Sequence, residues 1–171
     1  MPRGVVVMPR QEPLRVAISG SYGGLNLGDE AILQAIIAQV RSVGPVEITV
    51  FSRNAEDTMR RHSVEHALQV RDLPREEARR SVRGLDLLLL GGGGILYDAD
   101  ATTYLREVML AHEEGTPVMV YAVSAGPLTE AAARSCVREA LGSVARVTVR
   151  DRQSQNLLEE LGLERAIEVT A

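Results

Sequence analysis

The alternation of short apolar segments with segments of helical character is the sequence feature that most constrains the fold. Apolar segments of strand length cover residues 14–20, 46–52, 67–70, 85–90, 117–124, 145–151 and 166–171. Helical segments lie between them, at residues 28–44, 54–63, 74–83, 101–115, 129–143 and 152–162. The strand segments are continuously apolar, which is typical of strands that are covered on both faces. The sequence therefore predicts an α/β fold with a doubly wound, mostly parallel, Rossmann-like sheet.

The domain organisation follows from the length of the chain and from the extent of this pattern. A chain of 171 residues is long enough for one domain with its own core. We expect residues 14–171 to form this domain and residues 1–13 to be a flexible tail, whose apolar stretch is too short for a signal peptide. The last segment, residues 166–171, breaks off within a strand pattern, so we expect a second lobe outside this chain.

Composition and charge argue against several partners and chemistries. The net charge is −4 and no basic face stands out, so we expect no nucleic acid partner. The apolar runs are too short for a membrane span, and we expect a cytoplasmic protein. A single cysteine, Cys136, excludes an internal disulfide. All 19 basic residues are arginine, so a Walker phosphate loop and lysine Schiff-base chemistry are both excluded.

Two of the three histidines have the spacing of a metal-binding pair. His62 and His66 would share one face of a helix, but the charged side chains of Arg60, Arg61 and Glu65 surround them. We interpret the two histidines as a solvated pair, and we expect no metal at this position.

Four unusual segments directly follow predicted strands. They read GSYGGLNLGDE at residues 20–30, GGGGILYD at 91–98, SAGP at 124–127 and RDRQS at 150–154. The carboxyl ends of parallel strands meet at one edge of a sheet, where open α/β folds bind their ligands. The sequence therefore predicts a ligand crevice that is built from these four segments.

The first segment resembles a dinucleotide-binding turn but lacks its spacing. Its glycines, at positions 20, 23, 24 and 28, do not follow the G-x-G-x-x-G pattern, and no acidic residue ends the second strand. Asp29 and Glu30 would complement the dipole of the following helix. Asn26 could serve only the turn, but its amide also offers a donor and an acceptor to a ligand.

The glycine run at residues 91–94 has more glycines than a strand-to-helix turn requires. Successive bare amides in a loop form a concave anion site and let a ligand touch the main chain. Tight packing against residues 20–24 is the rival explanation, and both explanations can hold together. Asp98 could accept a hydrogen bond from a sugar hydroxyl or cap the next helix.

The RDRQS segment allows the same two interpretations. Asp151 and Ser154 have the spacing of a helix cap, and we favour capping for both. Arg150 follows a buried strand directly, so we expect its guanidinium to point into the crevice. The fork of an arginine suits a carboxylate or a phosphate.

The four segments, in this order, resemble the motifs of the polysaccharide pyruvyl transferase family of the cell-wall type. The family pattern is approximately G-Y-Y-G-x-x-N-x-G-D-E-A-I-L, then G-G-G-G-x-L-x-D, G-x-G-P and R-D-x-x-S. This sequence reads GSYGGLNLGDEAIL at residues 20–33 and matches the glycine run fully. Ser21 and Ser124 stand where the pattern has tyrosine and glycine.

The resemblance implies an enzyme that moves pyruvate from phosphoenolpyruvate onto two sugar hydroxyls as a ketal, without a cofactor. It implies two α/β lobes arranged as in GT-B glycosyltransferases, with the donor contacts in the lobe absent from this chain. It also implies a glycan or lipid-linked sugar as acceptor. We therefore expect the isolated chain to fold but to be inactive.

The predicted catalytic residues are Asp29 and Arg150. The residues predicted to contact substrate are Gly23, Asn26, Gly28, Glu30, Gly91, Gly92, Gly93, Gly94, Asp98, Gly126 and Ser154. Two other functions stay open at this point, a GT-B lobe of a nucleotide-sugar glycosyltransferase and an α/β ligand-binding module without catalysis. A longer gene product with a second lobe rich in histidine and arginine would favour the pyruvyl transferase.

Overall fold

The sheet is seven-stranded and entirely parallel in a computed structural model, which describes residues 12–170. Its strands are β1 (Leu14–Ser19), β2 (Val46–Phe51), β3 (His66–Leu68), β4 (Leu87–Leu96), β5 (Val118–Ala125), β6 (Arg146–Val149) and β7 (Ile167–Val169). They lie side by side in the order β3-β2-β1-β4-β5-β6-β7. This arrangement confirms the predicted Rossmann-like, doubly wound fold.

Six α-helices connect the strands. They are α1 (Leu27–Ser42), α2 (Ala55–His62), α3 (Arg75–Val82), α4 (Ala101–Glu113), α5 (Ala131–Gly142) and α6 (Arg152–Glu160). A short 3₁₀ turn, Val70–Asp72, precedes α3. Six of the seven strands and all six helices begin and end within about two residues of their predicted limits, because their apolar periodicity is a local signal. No helix in residues 12–170 is both long and apolar enough to cross a membrane.

Two buried clusters cover the two faces of the sheet. One includes Ile37 of α1, and the other includes Leu105 of α4 together with side chains of α3, α5 and α6. The leucine run of β4 divides between them, since Leu89 belongs to the first cluster and Leu88 and Leu90 belong to the second. A strand with apolar side chains on both faces must be central, and β4 indeed has a neighbour on each side.

The strand order reverses direction between β1 and β4, which makes their carboxyl ends the topological switch point of the sheet. The pairing of β1 with β4 ends at Ser19 and Leu90, but β4 continues to Leu96 along β5. The glycine run therefore lies within a strand, and its prediction as a loop after residue 90 is wrong. Beyond Leu90, one edge of β4 has lost its β1 neighbour.

The interpretation of His62 and His66 as a solvated pair is also wrong. Helix α2 ends at His62, whereas His66 begins β3, so the two residues do not share a helix face. His62 is buried against α1, while His66 is exposed and contacts Glu47. The predicted tail, residues 1–13, lies outside the described residues except for residues 12 and 13.

Candidate functional site

The first two glycines of the run make room for helix α1. A Cβ atom at Gly91 would lie 2.7 Å from Cδ1 of Ile36, and one at Gly92 would overlap Cγ2 of Ile32. Gly92 also has a φ of +47°, a left-handed value that a side chain rarely adopts. Packing of α1 against β4 thus accounts for these two glycines, which are buried.

The last two glycines of the run are less crowded than the first two. Gly94 is exposed, and an added Cβ atom would meet nothing within 4 Å. Gly93, with a φ of +85°, would place its Cβ atom 3.4 Å from Oδ1 of Asp29. The end of the glycine run and Asp29 are therefore neighbours at the switch point, where the crevice was predicted.

Asp29 is held at this crevice by the start of helix α1. Asn26 is the N-cap of α1, and its Oδ1 atom accepts hydrogen bonds from the amides of Gly28 and Asp29 at 2.9 and 3.4 Å. The Asp29 carboxylate is half-buried and makes no hydrogen bond or ion pair with any residue in the range 12–170. An unpaired carboxylate beside bare backbone is a candidate general base.

Glu30 has a different environment from Asp29. Its Oε1 atom accepts a hydrogen bond from the amide of Gly23 at 2.9 Å, and its Oε2 atom lies 2.7 Å from Nε2 of His62. The glutamate is 6% exposed, and its two oxygens hold the loop before α1 and the last residue of α2. The predicted substrate contact of Glu30 stays a prediction. The sequence could not reveal its partner His62, because that residue lies 32 positions away.

Tyr22 holds the loop between β1 and α1 against the glycine run. Its hydroxyl donates a hydrogen bond to the carbonyl of Gly91 at 2.8 Å, and the side chain is buried. Burial, with the nearby charge of Asp29, raises the pKa of Tyr22 far above its usual range. The hydroxyl is therefore a permanent donor that ties the loop to β4.

A buried ion pair lies under the turn that follows β1. Arg71 donates hydrogen bonds to the carbonyl of Gly20 at 3.2 Å and to Oε2 of Glu107 at 3.3 Å, and its guanidinium stacks on the ring of Tyr104. Ser19 also donates to Glu107. Burial raises the pKa of Glu107, and Arg71 counteracts this effect. No local sequence pattern could have predicted this support, since its members come from β1, α4 and the 3₁₀ turn.

Asp98 caps the start of helix α5. Its carboxylate accepts hydrogen bonds from the amides of Thr129 and Glu130 at 2.9 and 3.0 Å and from the Thr129 hydroxyl at 2.6 Å. The Thr129 hydroxyl, followed by these amides, holds the pKa of Asp98 below its usual range. The sequence predicted that Asp98 could cap the next helix, α4. The structure instead shows Asp98 at the start of α5. The N-cap residue of α5 is Glu130.

The predicted cap of α6 is confirmed. Oδ1 of Asp151 accepts hydrogen bonds from the amide and the hydroxyl of Ser154 at 2.8 and 2.7 Å, and Oδ2 accepts from Ser124. These contacts, with the neighbouring Arg150, lower the pKa of Asp151 to about 2. Ser154 is buried, and its oxygen also accepts from the amide of Ala125 at 2.9 Å. Its hydroxyl therefore links α6 to β5.

Arg150 is exposed at the carboxyl end of β6 and contacts Asp151 at 3.4 Å. The sequence predicted that Arg150 and Asp29 would face the same crevice. Within residues 12–170, however, no hydrogen bond or ion pair joins them, and two strands separate β6 from β1. They share the same edge of the sheet, as predicted, but belong to opposite ends of the candidate site.

The predicted substrate contacts divide by exposure. The exposed or half-buried ones are Asn26, Gly28, Gly94, Asp98 and Gly126, and the buried ones are Gly23, Glu30, Gly91, Gly92, Gly93 and Ser154. The structure brings both groups to the carboxyl edge, but the contacts with a substrate stay predictions. Across residues 12–170, no group of three or more histidine, cysteine, aspartate or glutamate side chains could hold a metal ion.

These features define a Rossmann-like α/β protein whose switch point carries exposed backbone at Gly94 and the carboxylate of Asp29, which makes no hydrogen bond or ion pair within residues 12–170. The sequence model of the polysaccharide pyruvyl transferase family matches residues 26–171, which is most of the chain. The protein therefore belongs to the polysaccharide pyruvyl transferase family. A search of curated proteins found no match.

Proposed function

We propose that the protein transfers pyruvate from phosphoenolpyruvate to two hydroxyls of a sugar in a polysaccharide or its precursor, which forms a cyclic ketal. In this reaction C3 of the donor takes a proton, C2 forms bonds to both sugar oxygens, and the bond from C2 to the phosphate oxygen breaks. One hydroxyl proton ends on C3 and the other on the released phosphate. Family membership supports the class of reaction.

One observation carries the location of the site, namely the unpaired carboxylate of Asp29 beside the open end of the glycine run. In the proposal, Asp29 accepts a proton from an acceptor hydroxyl, which makes that oxygen a better nucleophile. The exposed backbone of Gly94 lets the sugar approach the strand. Arg150 provides a cation for a carboxylate or phosphate at the far end of the site.

The remaining donor contacts are proposed to come from a second α/β lobe, in a GT-B-like arrangement, and no cofactor is proposed. Burial of the charged donor between two lobes would exclude water and strengthen each electrostatic contact. A cytoplasmic location is proposed with this reaction, since it needs phosphoenolpyruvate as donor.

The test is to measure phosphate release from phosphoenolpyruvate by the full-length gene product, with and without polysaccharide acceptors. We expect release that depends on the acceptor, together with a glycan that carries a carbon-labelled pyruvyl ketal. The 171-residue chain alone is expected to unfold cooperatively on heating but to release no phosphate. Transfer of a sugar from a nucleotide donor instead would contradict the proposal, and turnover by the chain alone would contradict the two-lobe arrangement.

A further inference from the structure

A groove beside the carboxyl end of β5 is lined by residues of the last two predicted segments, including Gly126 and Gln153, but not by Asp29 or the glycine run. One wall is the loop Gly126–Thr129, and the other is helix α6; we call this space the α6 groove. Its volume is about 680 Å³, which lies within the roughly 300–1,000 Å³ typical of small-molecule sites. The groove is therefore large enough for a ligand of more than one ring.

The α6 wall consists of one complete face of the helix. Gln153, Asn156, Leu157 and Glu160 line the groove, at the spacing i, i+3, i+4 and i+7 that usually marks a core-facing stripe. Here three of these four side chains are polar, while Leu158 on the other side of the helix is buried in the core. These polar side chains stand on the exposed face of α6, where the groove presents them to a polar ligand.

The polar side chains of this face are free. Gln153, Asn156 and Glu160 are exposed, and none of them makes a hydrogen bond or ion pair with another residue in the described part of the chain. Together they offer amide donors, amide acceptors and a carboxylate acceptor. This combination matches hydroxyl groups, each of which donates and accepts one or more hydrogen bonds.

The opposite wall is apolar and firmly held. Pro127 and Leu128 are its apolar residues, and Leu157 of α6 is the apolar residue that faces the groove from the other wall. The amide of Gly126 donates to the carbonyl of Leu96 at 2.7 Å, and the carbonyl of Pro127 accepts from the amide of Asp98 at 3.1 Å. The loop is thus attached directly to the strand that carries the glycine run. A preformed wall lowers the entropy that binding must overcome.

The chemistry of the lining excludes an anionic ligand and favours a neutral one. Among residues 12–170, no arginine or histidine lines the groove, and the carboxylate of Glu160 is the only charged group that does. Hydroxyl-binding amides on one side and apolar C–H surface on the other match the two faces of a pyranose ring. We propose that the α6 groove binds a neutral sugar unit of the acceptor glycan, one that does not react. The binding of a neutral sugar is argued from the groove alone, and only its assignment to the acceptor glycan rests on the proposed function.

A titration followed by nuclear magnetic resonance tests the groove without any transfer reaction. The nitrogen-labelled 171-residue chain is titrated with cellobiose, maltotriose and N,N′-diacetylchitobiose, with glycerol as a control for unspecific effects. We expect saturable shifts of the side-chain amide signals of Asn156 and Gln153 with at least one saccharide and none with glycerol.

The double variant Gln153→Ala/Asn156→Ala is expected to weaken this binding by about fivefold or more, as for the loss of a net hydrogen bond. Glu159→Ala, on the same helix but outside the groove, is the matched control and should bind as the unchanged chain does. Absence of saturable shifts with all three saccharides would overturn the assignment. Equal affinity in the double variant, or shifts confined to other residues, would do so as well.

The same variants separate this inference from the proposed function. In the full-length gene product, the double variant should raise KM for an extended acceptor by about fivefold or more and leave kcat and the KM for phosphoenolpyruvate unchanged. Saccharide binding without any pyruvyl transfer would contradict the proposed function but not the groove. Pyruvyl transfer with an unchanged acceptor KM in the double variant would contradict the groove but not the function.

Discussion

A side chain at Gly91 or Gly92 would push into helix α1, whereas a side chain at Gly94 would extend into open space. The residues are identical, but the first two must be glycine because helix α1 packs against them. Only the last is free to contact a ligand. The sequence predicted bare backbone for the whole run. It could not distinguish the four positions, because the difference arises from Ile32 and Ile36 on a helix that is distant in sequence.

We predict that Gly92→Val destabilises the fold by about 2 kcal/mol or more, because valine must adopt a left-handed φ and displace Ile32. Denaturant unfolding of the 171-residue chain measures this change. Gly142→Val is the matched control, since Gly142 has no atom within 4 Å of its added Cβ and no left-handed φ. Unchanged stability of Gly92→Val would contradict the packing explanation.

We predict that Asp29→Asn and Arg150→Ala each lower the turnover of the full-length gene product by more than about tenfold, as expected for a positioned acid–base or electrostatic group. Neither variant should lose stability beyond about 1 kcal/mol, because surface charges contribute little. Steady-state kinetics and thermal unfolding are the measurements. Glu56→Gln is the control, since Glu56 is exposed on α2. Near-normal turnover of both variants would place the catalytic groups elsewhere.

At the scale of elements, β4 and helix α6 show two limits of sequence-based prediction. The apolar core of each element follows from local periodicity, and the parallel order follows from the alternation of strand and helix. The extension of β4 through four glycines does not, because glycine weakens a strand and usually marks its end. Pairing with β5 from Gly91 to Leu96 sustains the strand there. The cap of α6, in contrast, is a contact across three residues, and its residue types alone predict it.

We predict that Asp151 makes the fold sensitive to acid. Its pKa is about 2 in the folded protein, against an ordinary value of 3.8. Because the folded-state value is the lower one, charged Asp151 stabilises the fold above about pH 4, and this contribution disappears as the pH falls toward about 2. Asp151→Asn should therefore flatten the dependence of the unfolding free energy on pH in this range. Glu159→Gln, which removes an exposed carboxylate, is the control and should leave the slope unchanged.

In the whole molecule, the sheet order concentrates the unusual segments at one edge. The sequence predicted this clustering, because parallel strands must end on the same side. It did not predict which residues of the segments reach the surface. Glu30 lies next to Asp29 in the chain, yet its carboxylate is buried and contacts His62 and Gly23, while that of Asp29 has no partner within residues 12–170. Such differences depend on contacts between elements, which no local pattern encodes.

The central claim is that the crevice at the carboxyl ends of β1 and β4 binds the reacting substrate. The most direct measurement compares Gly94→Leu with Gly142→Leu in the full-length gene product, since neither added Cβ meets an atom within 4 Å. Both variants should unfold at nearly the same temperature as the unchanged protein. We predict that kcat/KM falls by more than about tenfold for Gly94→Leu, whose side chain fills the crevice, and not for Gly142→Leu. A stable Gly94→Leu variant with nearly normal kcat/KM would contradict the claim.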